Sequence, residues 1–182
     1  MGSLEIIMGP MFSGKTELLI KKYNLASLEN SNKIIAFNYF KDTRYGDNKI
    51  VSHNQKFIPC INIEKLSSLF LDLDKLSKYK YIFINEAQFF VDLKECIIKL
   101  VEIYKKKVII CGLDSDYKRE KFGEIWDLIP FADHIYKLKG QCNHCMNKSL
   151  FTYRVTNEKD QEVIGTDNYI PLCRKCYLSK FE

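Results

Sequence analysis

The chain has 182 residues, 46% of them hydrophobic, so it can bury a core and is expected to form one globular domain, or one with a small appendage. No apolar run approaches the roughly 20 residues of a membrane helix, and the first residues lack the pattern of a secretion signal, which points to a cytosolic chain with no membrane partner. The formal net charge of +5 is modest and scattered, which argues against nucleic acid as a partner.

In chain order, Leu4 to Met8 is a short apolar run, as a buried parallel strand should be. It leads into Gly9-Pro10-Met11-Phe12-Ser13-Gly14-Lys15-Thr16, which fits the phosphate-cradling pattern G-x-x-x-x-G-K-[ST]. Glu17 to Leu28 follows with apolar residues at helical spacing. Strand, glycine loop and helix in that order make a P-loop, whose N–H groups and helix N-terminus face a polyphosphate. Lys15 is expected to reach the β- and γ-phosphates, and the Thr16 hydroxyl to ligate Mg²⁺.

Lys33 to Asn38 reads as a second strand. Asp42 to Asn48 is a polar loop in which Arg44 is either a phosphate clamp or a plain surface arginine. Phe57 to Ile63 reads as a short edge strand, since Pro59 bars a central place. Glu64 to Leu76 carries a helical apolar stripe. Tyr79 to Ile84 is an apolar strand ending in Asn85-Glu86, where P-loop proteins carry an acidic pair. A carboxylate at that strand end lies beside the P-loop, and Glu86 is therefore the candidate general base. A helix over Asp92 to Tyr104 and a strand over Lys107 to Cys111 complete a run that implies a parallel sheet with crossover helices, an α/β fold. The only basic run, Lys105-Lys106-Lys107, falls where a helix ends, a favourable place for cations. Tyr117 and Phe122 sit in a polar stretch and either line a pocket or anchor the loop. Asp133 to Leu138 reads as the last strand of a first domain spanning 1–139.

The remainder, 140–182, changes character. Cys60, Cys96 and Cys111 lie singly in apolar stretches and read as reduced core residues. Cys142-x-x-Cys145 and Cys173-x-x-Cys176 are paired as zinc knuckles are. Four thiolates with structural Zn²⁺ would bring the formal charge down to about +3. His144 lies between the first two cysteines, but four sulfurs already complete such a site. Ser149 to Thr156 and Gln161 to Ile164 look β-like, and Gly165 to Leu172 reads as a loop. With 27 residues between the knuckles, the segment is a long loop held at its base by zinc, which supplies most of its folding energy.

These words together, GPMFSGKT at 9–16, DTRYG at 42–46, EAQFF at 86–90, GLD at 112–114, KREKFG at 118–123, VIG at 163–165 and CRKCY at 173–177, resemble the type II thymidine kinases of vertebrate cytosol, many bacteria and poxviruses. The resemblance implies transfer of the ATP γ-phosphoryl group to the 5′-hydroxyl of thymidine or deoxyuridine, with Mg²⁺. It implies Glu86 as proton acceptor and Arg44 near the phosphates. Around the thymine base it implies Met11, Phe89, Leu113, Tyr117 and Phe122. A lasso loop, here Gln161-Glu162-Val163-Ile164-Gly165 with Tyr169 and with Thr152 close by, would hold the base by main-chain contacts. A homotetramer and inhibition by dTTP are further implications.

Two positions depart from that pattern. Asn85 stands where the family has aspartate, so the amide brings no charge to Mg²⁺. Tyr117 stands where many relatives have Phe. The rival readings are a small P-loop ATPase whose zinc module grips nucleic acid or a partner protein, and a nucleotide-binding relative that Asn85 has left inactive.

Overall fold

The computed structural model describes residues 1–42, 48–161, 163, 165 and 167–181. β1 (Ser3–Gly9) is buried from Ile6 to Gly9 and feeds the glycine loop and α1 (Lys15–Asn30). β2 (Ile34–Tyr39) follows. The expected single edge strand over 57–63 is instead two strands. β3 (Lys49–Val51) and β4 (Phe57–Pro59) form an antiparallel hairpin, and β5 (Ile61–Ile63) joins the main sheet. Pro59 stands opposite Lys49 at a non-hydrogen-bonded position, where its missing N–H removes no ladder bond, and the hairpin closes one residue later with Cys60 N donating to the Asn48 carbonyl at 3.0 Å.

The helix expected over 64–76 is also split, into a 3₁₀ stretch at Leu66–Leu71 and α2 (Leu73–Ser77). Two caps cause the break. The Asp92 carboxylate accepts from the Leu66 and Ser67 N–H groups at 3.1 and 2.8 Å, and Asp72 Oδ1 accepts from Lys75 N at 2.8 Å. Each carboxylate satisfies donors at a helix start, so the chain begins two short helices rather than one long one. β6 (Tyr81–Ile84), α3 (Leu93–Ile98) with a π-helical continuation at Lys99–Ile103, and β7 (Lys107–Leu113) come next. A 3₁₀ stretch at Ile125–Phe131 leads to β8 (His134–Lys137). Within the basic run, Lys106 is buried, and its ammonium donates to the carbonyls of Leu76 and Tyr79 at 2.8 and 2.6 Å, closing the end of α2.

Six strands form one wholly parallel sheet in the order β5-β2-β6-β7-β1-β8. Ile6, Met8, Ile82, Ile84, Val108 and Ile110 face Leu66, Leu93 and Ile97 on one side. Ile7, Phe83, Ile109 and Cys111 face Leu19 and Ile20 of α1 on the other. Both faces are covered, which is why the strands read as unbroken apolar runs, and each such buried side chain contributes about 2 kcal/mol. The carboxyl ends of β2, β6, β7 and β1 consequently lie side by side, as ligand clefts of open α/β sheets require.

Past β8 the chain forms two small antiparallel pairs, β9 (Gly140–Gln141) with β10 (Lys148–Ser149), and β11 (Phe151–Arg154) with β12 (Tyr169–Leu172), then α4 (Arg174–Leu178). The partner of β11 is thus the segment expected to be loop, while Gln161 and Val163, expected to be β-like, are outside any strand. Cys142, Leu172, Cys173 and Tyr177 form a small separate core here, with Phe151 and Tyr153 against it. Among the described residues no helix is long and apolar enough to cross a membrane.

Candidate active site

The P-loop lies at the carboxyl end of β1. Gly14 has φ +83° and Phe12 φ +59°, and the first of these is a conformation that glycine adopts without strain. The turn brings Lys15 Nζ to the Pro10 carbonyl at 2.7 Å. Ser13 Oγ is buried with no hydrogen-bond partner among the described residues, a hydroxyl that a bound anion could satisfy. Gly9 and Pro10, also expected at the nucleotide, do not line the adjoining cleft, and a Cβ on Gly9 would lie 2.6 Å from the Leu138 carbonyl. The residues from Met11 to Thr16 line a cleft of about 190 Å³.

Glu86 lines the same cleft from the end of β6. Its backbone is left-handed, φ 51° and ψ 43°, an uncommon conformation for glutamate that recurs at functional sites. Gln88 Nε2 donates to Glu86 Oε2 at 2.7 Å, while Gln88 Oε1 accepts from Leu113 N at 3.1 Å. One buried amide therefore ties the carboxylate to the end of β7.

Asn85 also lines the cleft but is 4% exposed. Its Nδ2 donates to Asn38 Oδ1 at 2.9 Å and its Oδ1 accepts from the Cys111 thiol at 3.0 Å. Burial, then the nearby Glu86 carboxylate, pushes the Cys111 thiol up to about 12, so it stays a donor. The neutral amide thus joins the ends of three neighbouring strands.

The opposite end of the cleft is apolar. Phe89 stacks on Tyr39 with centroids 5.1 Å apart and meets Phe122 edge-on at 5.4 Å, and Met11, Leu113 and Tyr117 complete this wall. Tyr117 does both things considered for it: its ring lines the cleft, and its hydroxyl donates to the Lys159 carbonyl at 3.1 Å. The added hydroxyl is spent on the lasso main chain. Gln161, Val163, Gly165 and Tyr169 close the cleft from the C-terminal segment, joined by Thr152, whose Oγ1 accepts from Met11 N at 2.9 Å. Arg44, Glu162 and Ile164 lie outside the described residues.

The four knuckle sulfurs come together, all within 4.8 Å of one another, and His144 is not among them. Tetrahedral zinc with four Zn–S bonds of about 2.3 Å needs sulfurs nearly 4 Å apart, so the donor set fits. Burial opposes ionisation of Cys142, but main-chain N–H groups of Cys173, His144 and Cys145 outweigh it and hold the thiol down to about 6. Cys60, Cys96 and Cys111 are buried free thiols elsewhere.

Some cleft residues have no counterpart in the sequence reading. The turn of the β3–β4 hairpin brings Ser52 and His53 into the cleft lining, with His53 edge-on to Phe12 of the glycine loop at 6.5 Å, and the turn residues between KIV and FIP were the available signal. Gln88 and Tyr39 could have been found from their places just after β6 and at the end of β2.

The thymidine kinase family model matches residues 2–177. The chain is 39% identical over 180 residues to a thymidine kinase of Oryza sativa subsp. japonica, covering 97% of this chain and 66% of that protein. It is 39% identical to a thymidine kinase of Mycoplasma mobile, covering 97% and 88%, and 36% identical to one of Sheeppox virus, covering 97% of each. The chain therefore spans about two thirds of the rice protein and almost all of the viral one. By this match along its length, the chain belongs to the thymidine kinase family.

Proposed function

We propose that the chain transfers the γ-phosphoryl group of ATP to the 5′-hydroxyl of thymidine, or deoxyuridine, yielding ADP and dTMP. The supporting observation is that one cleft is lined by the P-loop, by Glu86 and by an aromatic wall. Phosphoryl transfer needs positioning and charge neutralisation more than covalent help. Lys15 would neutralise the β- and γ-phosphates. Glu86 would accept the 5′-hydroxyl proton as the new O–P bond forms and the bond to the ADP oxygen breaks. Phe89 and Phe122 would pack on the thymine, and the Gln161–Gly165 lasso would exclude water, so phosphate goes to sugar and not to solvent.

Magnesium, when bound, adds charge neutralisation at the phosphates. Thr16 and the nucleotide would hold it, since both ends of the Asn85 amide are already engaged. Arg44 is proposed to lie near the phosphates by resemblance alone. Zinc on the four cysteines would be structural. Inhibition by dTTP suits a cleft that takes a thymine at one end and a triphosphate at the other. A homotetramer and a cytoplasmic location are proposed by resemblance alone. The test is ADP formation by purified zinc-loaded protein with ATP and Mg²⁺. Thymidine should be required. ADP formation indifferent to thymidine would contradict the proposal and favour a plain ATPase, and none at any Mg²⁺ concentration would favour an inactive relative.

A further inference from the structure

Arg154, the last residue of β11, is 4% exposed and pairs across the ladder with Tyr169 of β12. Its side chain does not join the cleft wall. It turns into the loop that connects the two strands. Nη1 donates to the carbonyls of Glu158, at 3.0 Å, and of Asp160. Nη2 donates to the Gln161 carbonyl at 3.1 Å and to Tyr169 Oη at 2.5 Å. That hydroxyl donates onward to the Val163 carbonyl at 3.2 Å. The guanidinium also sits 3.8 Å from the centroid of the Tyr117 ring, whose own hydroxyl holds the Lys159 carbonyl.

Three carbonyls of the β11–β12 connection, those of Glu158 and Asp160 and that of Gln161 at the start of the lasso, thus converge on one cation directly, and the Val163 carbonyl does so through Tyr169. Converging carbonyl dipoles repel one another, and ordering a loop costs about 1–2 kcal/mol per residue, so such a chain path needs a strong organiser. Arginine suits this, because its planar fork offers several donors at fixed angles, and a face that stacks on an aromatic ring. A lysine offers one point charge and cannot reach the same acceptors together. Of the residues held, Gln161, Val163 and Tyr169 line the nucleoside end of the cleft.

We infer that Arg154 is the positioning residue of nucleoside recognition: it fixes the lasso main chain against the base without touching substrate. The inference rests on the proposed kinase reading. The test compares wild type, Arg154→Lys and Tyr169→Phe, the last removing only the bridging hydroxyl. For each, KM for thymidine, KM for ATP, zinc content and the rate of tryptic cleavage at Lys159 are measured. Arg154→Lys should raise KM for thymidine about tenfold or more, the expected cost of breaking charge-assisted hydrogen bonds. KM for ATP should stay within about twofold, zinc content should be unchanged, and Lys159 should be cleaved faster. Tyr169→Phe should move thymidine KM the same way by a smaller factor. An unchanged KM for thymidine would overturn the inference. So would equal rises in both KM values or loss of zinc, which mark a general prop of the fold. A wild type that ignores thymidine refutes the kinase reading separately, and unchanged cleavage at Lys159 would then refute the hold on the lasso.

Discussion

Glu86 is held by its neighbours more than by its own strand. Gln88, which grips its carboxylate, is packed so closely that a Cβ on Gly123, φ +64°, would lie 2.1 Å from the Gln88 carbonyl oxygen. The carboxylate is therefore aimed before any substrate arrives, which is the useful state for a general base. Glu86→Gln keeps the shape and removes the basicity. It should lower kcat by about 10²–10⁴-fold with little change in KM for ATP, as steady-state kinetics would show, and a kcat within a few-fold of wild type would remove Glu86 from the role. At the next position, Asn85→Asp adds a charge but removes the donor to Asn38. It should reduce the Mg²⁺ concentration needed for half-maximal rate, at a stability cost of about 1–3 kcal/mol. Mg²⁺ titration and urea unfolding measure the two effects, and an unchanged Mg²⁺ dependence would place position 85 outside the metal's surroundings.

At the scale of elements, the four cysteines close a segment whose separate apolar core, among the described residues, consists of Cys142, Leu172, Cys173 and Tyr177. So small a core does not fold on hydrophobic burial alone. Removing zinc by chelation should abolish thymidine-dependent turnover and expose Lys159 to trypsin, while the sheet keeps its circular dichroism and the P-loop keeps its affinity for ATP. Retained thymidine turnover without zinc would contradict this. The two halves also differ in how far they could be read from sequence. The parallel strands, buried on both faces, and the strand-loop-helix order around Gly14 were legible because local pattern and tertiary position agree. The stripe over 64–76 misled, since Asp72 and Asp92 divide that helix by side-chain bonds, one from 25 residues away. Tyr169–Leu172 escaped notice because Pro171 hides its strand character and its pairing to β11 depends on distant contacts. Arg154 carried no motif. Its only signal was that it shares a strand face with Thr152, two residues earlier.

Across the whole molecule, the cleft is assembled from segments far apart in the chain. Met11 N reaches Thr152 Oγ1 across 141 residues, and Gln161 Nε2 reaches Asp116 Oδ2 at 2.9 Å across 45. The first bond ties the glycine loop to β11 and the second ties Gln161 to the stretch after β7, so both walls of the cleft are anchored to the C-terminal segment. The arrangement suits the proposed passage of a phosphoryl group from one end of the cleft to the other. The most direct test is to follow labelled γ-phosphate in a reaction of ATP, Mg²⁺ and thymidine. The label should appear on the 5′-oxygen of thymidine, one dTMP for each ADP. Label recovered as inorganic phosphate, with thymidine unchanged, would contradict the account.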